Sequence, residues 1–167
     1  MKRNLLLVLC SAFALSMNAK IVYVTSTGSA GNDGSSWDKA VDNITTAMTK
    51  VTAGDEIWMA KGTYVISEKL VLADYVDIYG GFAGTETSVD QRVREDESKP
   101  WSFVNETILT GNGGNYRLTD VNKGFERTEV AYFDGLTVSG HATNDDKISY
   151  FNNCLLYTSD AADEARS

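Results

Sequence analysis

Histidine occurs once in the 167 residues, proline once and cysteine twice. So few imidazoles and thiols leave almost no means of building a Cys/His zinc site or a Cys–His nucleophile pair. Basic residues are also scarce: 15 Lys and Arg face 23 Asp and Glu, giving a net charge of −8 and a pI near 4.6. A chain of that charge offers no basic surface to displace counterions from phosphates, so a nucleic-acid partner is excluded, whereas basic ligands and bound cations stay open. Long apolar runs are missing too. The longest, Leu5 to Met17, is too short to cross a bilayer as a helix, and no transmembrane helix is expected in the mature chain.

The basic start, Met1-Lys2-Arg3-Asn4, followed by that apolar run reads as a secretory leader over residues 1–19, with cleavage after Ala19. Cys10 does not fit a lipoprotein signal, because the bulky Leu9 precedes it. At the other end, Cys154 to Glu164 is similar to a translated reading frame of a transposase adapter used in sequencing libraries. Residues 154–167 are therefore expected to be an adapter-derived tail, with the natural C-terminus lost. Removing both ends takes away three bases and three acids and leaves the charge at −8. Residues 20–153 hold no cysteine, so the fold must rest on burial and backbone pairing.

Ile21-Val22-Tyr23-Val24 is β-branched and aromatic, and Gly28, Gly31, Asn32, Asp33 and Gly34 follow it. This predicts a strand running into a loop. Trp37, Ala40, Val41, Ile44, Ala47, Met48 and Val51 then recur at helical spacing, with Ser35 and Asp38 as a capping box and Gly54 as the stop. Residues 20–56 are thus expected to be a strand and a capping helix whose Trp37, Ile44 and Met48 face is buried. Short strands are expected afterwards at Ile57 to Ala60, Thr63 to Ile66, Lys69 to Leu72, Val76 to Tyr79, Thr107 to Leu109, Val130 to Phe133 and Leu136 to Val138. No crossover helix separates them, and no tight hairpin turns are evident. Asp77 to Gly81, Ile108 to Asn112 and Leu136 to Gly140 each end a strand in glycine, and Ile78, Ile108 and Val138 are thirty positions apart. That recurrence predicts coils stacked over residues 57–153, with those three side chains in one column and the helix sealing the first coil. Gly84 to Trp101, rich in charge and holding Pro100, is expected to be an exposed loop.

Tyr23-Val24, Gly31 to Trp37 and Gly54 to Tyr64 resemble the N-terminal cap of secreted right-handed parallel β-helix proteins, the pectin-lyase-like superfamily. Tyr79 to Ser88 with Gln91-Arg92 is similar to large surface β-helix proteins of Bacteroides-type bacteria, often labelled polymorphic outer-membrane-like. The resemblance implies an all-β solenoid, a right-handed single-stranded parallel β-helix with an N-terminal α-helical cap, truncated at its C-terminal end. It also implies a bacterial secreted or cell-surface location and a structural, adhesive or glycan-binding role, with polysaccharides or surface glycans as partners. The alternative is a polysaccharide lyase or glycoside hydrolase whose active site lies on later coils.

No catalytic residue or cofactor is identified. Lyases of this fold use carboxylates around Ca²⁺ with a Lys or Arg base. Asp74, Asp77, Asp134, Asp145 and Asp146, with Arg117, Lys123 and Arg127, are the corresponding candidates here, and calcium binding stays open. Asp33 and Asp55 read as turn residues, and His141 as a loop histidine. Trp101, Tyr116 and Tyr132 are candidate sugar platforms, whereas Trp58 reads as packing.

Overall fold

A computed structural model of the chain describes residues 19–66, 70, 72–73, 75–110, 131–139, 149–152 and 155–156. The signal-peptide reading and most of the tail reading lie outside them. The described chain is mostly strand with little helix. The strands are β1 (Ile21–Val24), β2 (Glu56–Ala60), β3 (Gly62–Val65), β4 (Asp77–Phe82), β5 (Thr107–Thr110), β6 (Ala131–Asp134), β7 (Thr137–Ser139), β8 (Ser149–Asn152) and β9 (Leu155–Leu156). They form two sheets, in the orders β1-β2-β4-β6-β8 and β3-β5-β7-β9. Every pairing is parallel.

The alternation of side chains along a strand determines what each sheet buries. In the first sheet Val22, Ile57, Ile78 and Phe133 occupy one register position on successive strands, and all are fully buried. In the second sheet Tyr64, Leu109 and Val138 do the same. Both columns belong to one apolar core. The intervening positions Tyr23, Trp58, Tyr79 and Asp134 line up on the opposite side of the first sheet.

The column expected from the thirty-residue spacing does not exist. Ile78 lies on β4, while Ile108 lies on β5 in the other sheet, where it pairs with Thr63 and Thr137 and is only half-buried. Val138 pairs with Leu109. The true intervals are unequal because stretches of different length, 83–106 among them, join the strands, so no constant period survives. Leu70 and Leu72 are buried but are not in a strand.

The expected long helix is also corrected. Trp37–Lys39 forms one 3₁₀ turn, and only Ile44–Met48, here α1, is α-helical. Between them the chain is extended, and Val41 makes a parallel bridge to Val24. The Val41 amide donates to the Tyr23 carbonyl at 2.9 Å, and the Thr25 amide donates to the Val41 carbonyl at 3.0 Å. Val41 is thereby tied to the outer edge of β1, whose free backbone groups would otherwise template aggregation. Residues 40–43 give up helical pairing for these bonds, and the Asn43 side chain caps α1 by accepting from the Thr46 amide at 2.7 Å. Ala40, Val41, Ile44 and Ala47 are buried, whereas Trp37 and Met48, two of the three residues expected on the buried face, are only partly so.

Glycine lets the chain turn between the sheets. Gly62, the first residue of β3, has φ of +147°, a conformation side chains avoid. Gly80 is needed for closeness instead: a Cβ there would lie 2.4 Å from Leu136 Cδ2 and 2.5 Å from the Gly135 carbonyl oxygen. Gly80→Ala should therefore cost about 1–3 kcal/mol, the usual penalty of overpacking. Urea unfolding monitored by far-ultraviolet dichroism would measure it. Thr107, fully buried, fastens the same corner. Its hydroxyl accepts from the Gly81 amide at 3.0 Å and lies 3.3 Å from the Met59 and Ala60 carbonyls as donor.

Candidate functional site

The segment between β4 and β5 is largely exposed, as expected, but two of its residues, Glu86 and Arg92, anchor it to the rest of the fold. Glu86 is buried, and its carboxylate accepts from the amides of Ala83 at 2.6 Å and of Gly84 and Thr85 at 3.0 Å. Burial pushes this carboxyl up, but the bonds from the loop amides, Ala83 first, outweigh it and hold the group below its ordinary value. Trp37 Nε1 donates to the Glu86 carbonyl at 2.8 Å, tying the loop to the N-terminal cover. Asp55 behaves similarly: burial opposes its charge, and bonds from the Thr52 and Lys20 amides prevail.

Both carboxyls thus ionise more readily in the folded chain than in the unfolded one. Their contribution is complete above their unfolded values of 4.5 and 3.8 and is lost as pH falls through the lower folded values. Acid titration should therefore lower the contribution of these two groups as the pH falls below about 4, and Glu86→Gln should be less stable than the parent at pH 7 while nearly matching it in acid. Thermal melts across that range would check the sign.

Arg92 is the second anchor. Its guanidinium donates to Asp134 Oδ1 at 2.8 Å and to the Gly80 carbonyl at 2.9 Å, while Nε donates to the Val89 carbonyl at 2.9 Å. It lies 4.9 Å from the Phe103 ring centroid, 5.5 Å from Phe82 and 5.6 Å from Tyr79. The two side chains of the ion pair are only 9% and 7% exposed. Asp134, a candidate calcium ligand or catalytic carboxylate, is instead the buried partner of Arg92.

The remaining candidates fall in different places. Trp58 is 3% exposed, stacked on Phe82 at 4.7 Å with its Nε1 donating to Glu56 at 2.6 Å, so it is a packing residue and presents no platform. Asp33 is a turn residue accepting from the Ser35 amide. Asp77 stands directly beside Glu56 in the parallel register, and burial, reinforced by that negative neighbour, raises its carboxyl above the ordinary value. The Tyr132 backbone belongs to β6. Asp74, Arg117, Tyr116, Lys123, Arg127, His141, Asp145 and Asp146 lie outside the described residues. Among the described residues, no group of three or more His, Cys, Asp or Glu side chains is placed to hold a metal. Nor is any described helix long and apolar enough to cross a membrane.

Of the expected sugar platforms, Trp101 lies among the described side chains and is accessible, at 41% exposure. It borders an open depression of about 470 Å³ formed by Glu95, Lys99, Ser102, Phe103, Val104, Glu106 and Thr137. Phe103 is buried there, beneath the guanidinium groups of Arg92 and Arg94. Glu95 accepts from the Ser102 hydroxyl at 3.0 Å, and Glu106 accepts from the Thr137 hydroxyl at 2.9 Å. The depression is lined mainly by polar and charged groups, with the exposed indole as its apolar element, and its volume lies in the range of small-ligand sites. The sequence identified Trp101 as a platform candidate, but not the residues gathered around it.

No family model matches the chain, and neither curated proteins nor solved structures show a match.

Proposed function

We propose that the chain forms a right-handed single-stranded parallel β-helix of a secreted or cell-surface bacterial protein, with a structural or adhesive role exercised by binding glycans. The regular passage of the chain between two parallel sheets, with β2, β4 and β6 alternating with β3, β5 and β7, supports the solenoid reading. The binding reading rests on one observation: a half-exposed Trp101 at the rim of a depression lined by hydroxyls and carboxylates. A sugar ring has an apolar face that covers an indole and a hydroxyl edge that needs polar partners, and this depression offers both.

The test is affinity electrophoresis of the full chain through gels carrying neutral and acidic polysaccharides, beside Trp101→Ala. Retardation by at least one polysaccharide, weakened about tenfold or more in the variant, is the expected result for a central aromatic contact. Equal retardation of both proteins would remove Trp101 from the site, and no retardation in any gel would refute the binding role.

A further inference from the structure

We infer, resting on the secreted reading above, that cleavage after Ala19 is a maturation step: the α-amino group it frees on Lys20 becomes the counter-ion of buried Asp55. Ala19 and Lys20 are both exposed, so the bond between them is open to an endopeptidase. Directly after it the chain enters the fold. The Glu56 amide donates to the Lys20 carbonyl at 2.8 Å, and Ile21 starts β1 in register with Glu56. The Lys20 nitrogen itself lies 2.9 Å from Asp55 Oδ1.

Asp55 also accepts from the Thr52 amide at 2.7 Å and the Thr52 hydroxyl at 2.9 Å, both at Oδ2. These donors are neutral, and so is Lys20 N–H while its amide bond is intact. The Lys20 ε-ammonium is turned to the Lys50 carbonyl, to which it donates at 3.2 Å. Hydrolysis of the bond after Ala19 consumes one water: Ala19 leaves as a carboxylate, and the Lys20 nitrogen becomes a primary amine that takes a proton at neutral pH. An amide N–H facing a buried carboxylate is thereby replaced, at the same atom, by an ammonium, and a charge-assisted bond is about twice as strong as a neutral one. The surrounding charge favours the change. Glu56 and Asp77 are register neighbours on β2 and β4, and the Asp77 amide donates to the Asp55 carbonyl at 3.2 Å, so three acids meet only the side chains of Lys20 and Lys50 at this corner. A leader left in place, or cleavage one residue away, does not supply the ion.

The experiment exports the full chain from a bacterium and reads the first residue of the product by mass spectrometry, beside a chain that begins at Ala19 and so carries its terminal charge one residue away. The product should begin at Lys20. In urea at pH 7 its unfolding constant should be about tenfold smaller than that of the longer chain, the margin between a charged and a neutral hydrogen bond. Pairing raises an α-amino group above its unfolded value of about 8. The gap should therefore be complete below that value and close as pH rises through the folded one. Asp55→Asn should make the two chains equally stable; if that variant does not fold, the alkaline titration decides. A product that begins elsewhere, equal stability of the two chains at pH 7, or a gap that persists in alkali overturns the inference while secretion stands. Failure of the chain to be exported refutes the secreted reading and the inference with it.

Discussion

Phe133→Ala should remove about 3–5 kcal/mol of stability, the usual cost of deleting a large buried ring. Phe133 is fully buried and occupies the register position of Ile57 and Ile78, so its loss would open a cavity in that column, beside Ile78. A typical domain has only about 5–15 kcal/mol in total, so the variant should unfold at much lower denaturant. Ile108→Ala is the informative contrast. Ile108 sits half-exposed between Thr63 and Thr137, and its truncation should cost about 1 kcal/mol or less. A single thirty-residue column would instead require Ile78 and Ile108 to be equally costly. Chemical denaturation of Phe133→Ala, Ile108→Ala and Ile78→Ala separates these outcomes.

Replacing Arg92 by Met should be of similar severity, about 3–5 kcal/mol, because it takes the guanidinium from Asp134 in a site from which water is largely excluded. The lost bonds to Gly80 and Val89 would also release the segment that carries Trp101. Arg92→Met with Asp134→Asn should be less damaging than the two single costs added together, by about 0.5–3 kcal/mol, the coupling range of contacting residues. Strict additivity would show that the pair does not act as a unit. Since both side chains are buried, the effect should persist at high salt, unlike that of the exposed Lys99–Asp96 pair.

Much of the strand content was legible because β-branched and aromatic runs bounded by glycine, asparagine and aspartate mark strands locally. Ile21–Val24, Glu56–Ala60 and Thr107–Thr110 fall within a residue or two of expectation. What failed was longer in range. Trp37, Ala40, Val41, Ile44 and Ala47 are compatible with a helical stripe, but Val41 pairs with β1, a tertiary demand that local spacing does not record. The thirty-residue recurrence joined strand ends that belong to different sheets. Arg92 was hidden inside a charged stretch that reads as solvated, since nothing local distinguishes a guanidinium that will meet Asp134 and three aromatic rings. Gly62 and Tyr64 lie in the stretch Gly54 to Tyr64: the first has a backbone conformation open to glycine, and the second is buried, donating to the Ala60 carbonyl at 2.8 Å.

The pairing of the strands can be tested directly by disulfide formation in a chain whose Cys10 and Cys154 are replaced by Ser. Thr63 and Ile108 are register partners on β3 and β5, and parallel neighbours lie about 4.8 Å apart, within the span of a disulfide. Thr63→Cys with Ile108→Cys should close on mild oxidation, giving a cross-linked peptide pair by mass spectrometry. Ile78→Cys with Ile108→Cys should stay open, because those residues belong to different sheets. Closure of the second pair without the first would contradict the register on which the fold and the glycan-binding reading stand.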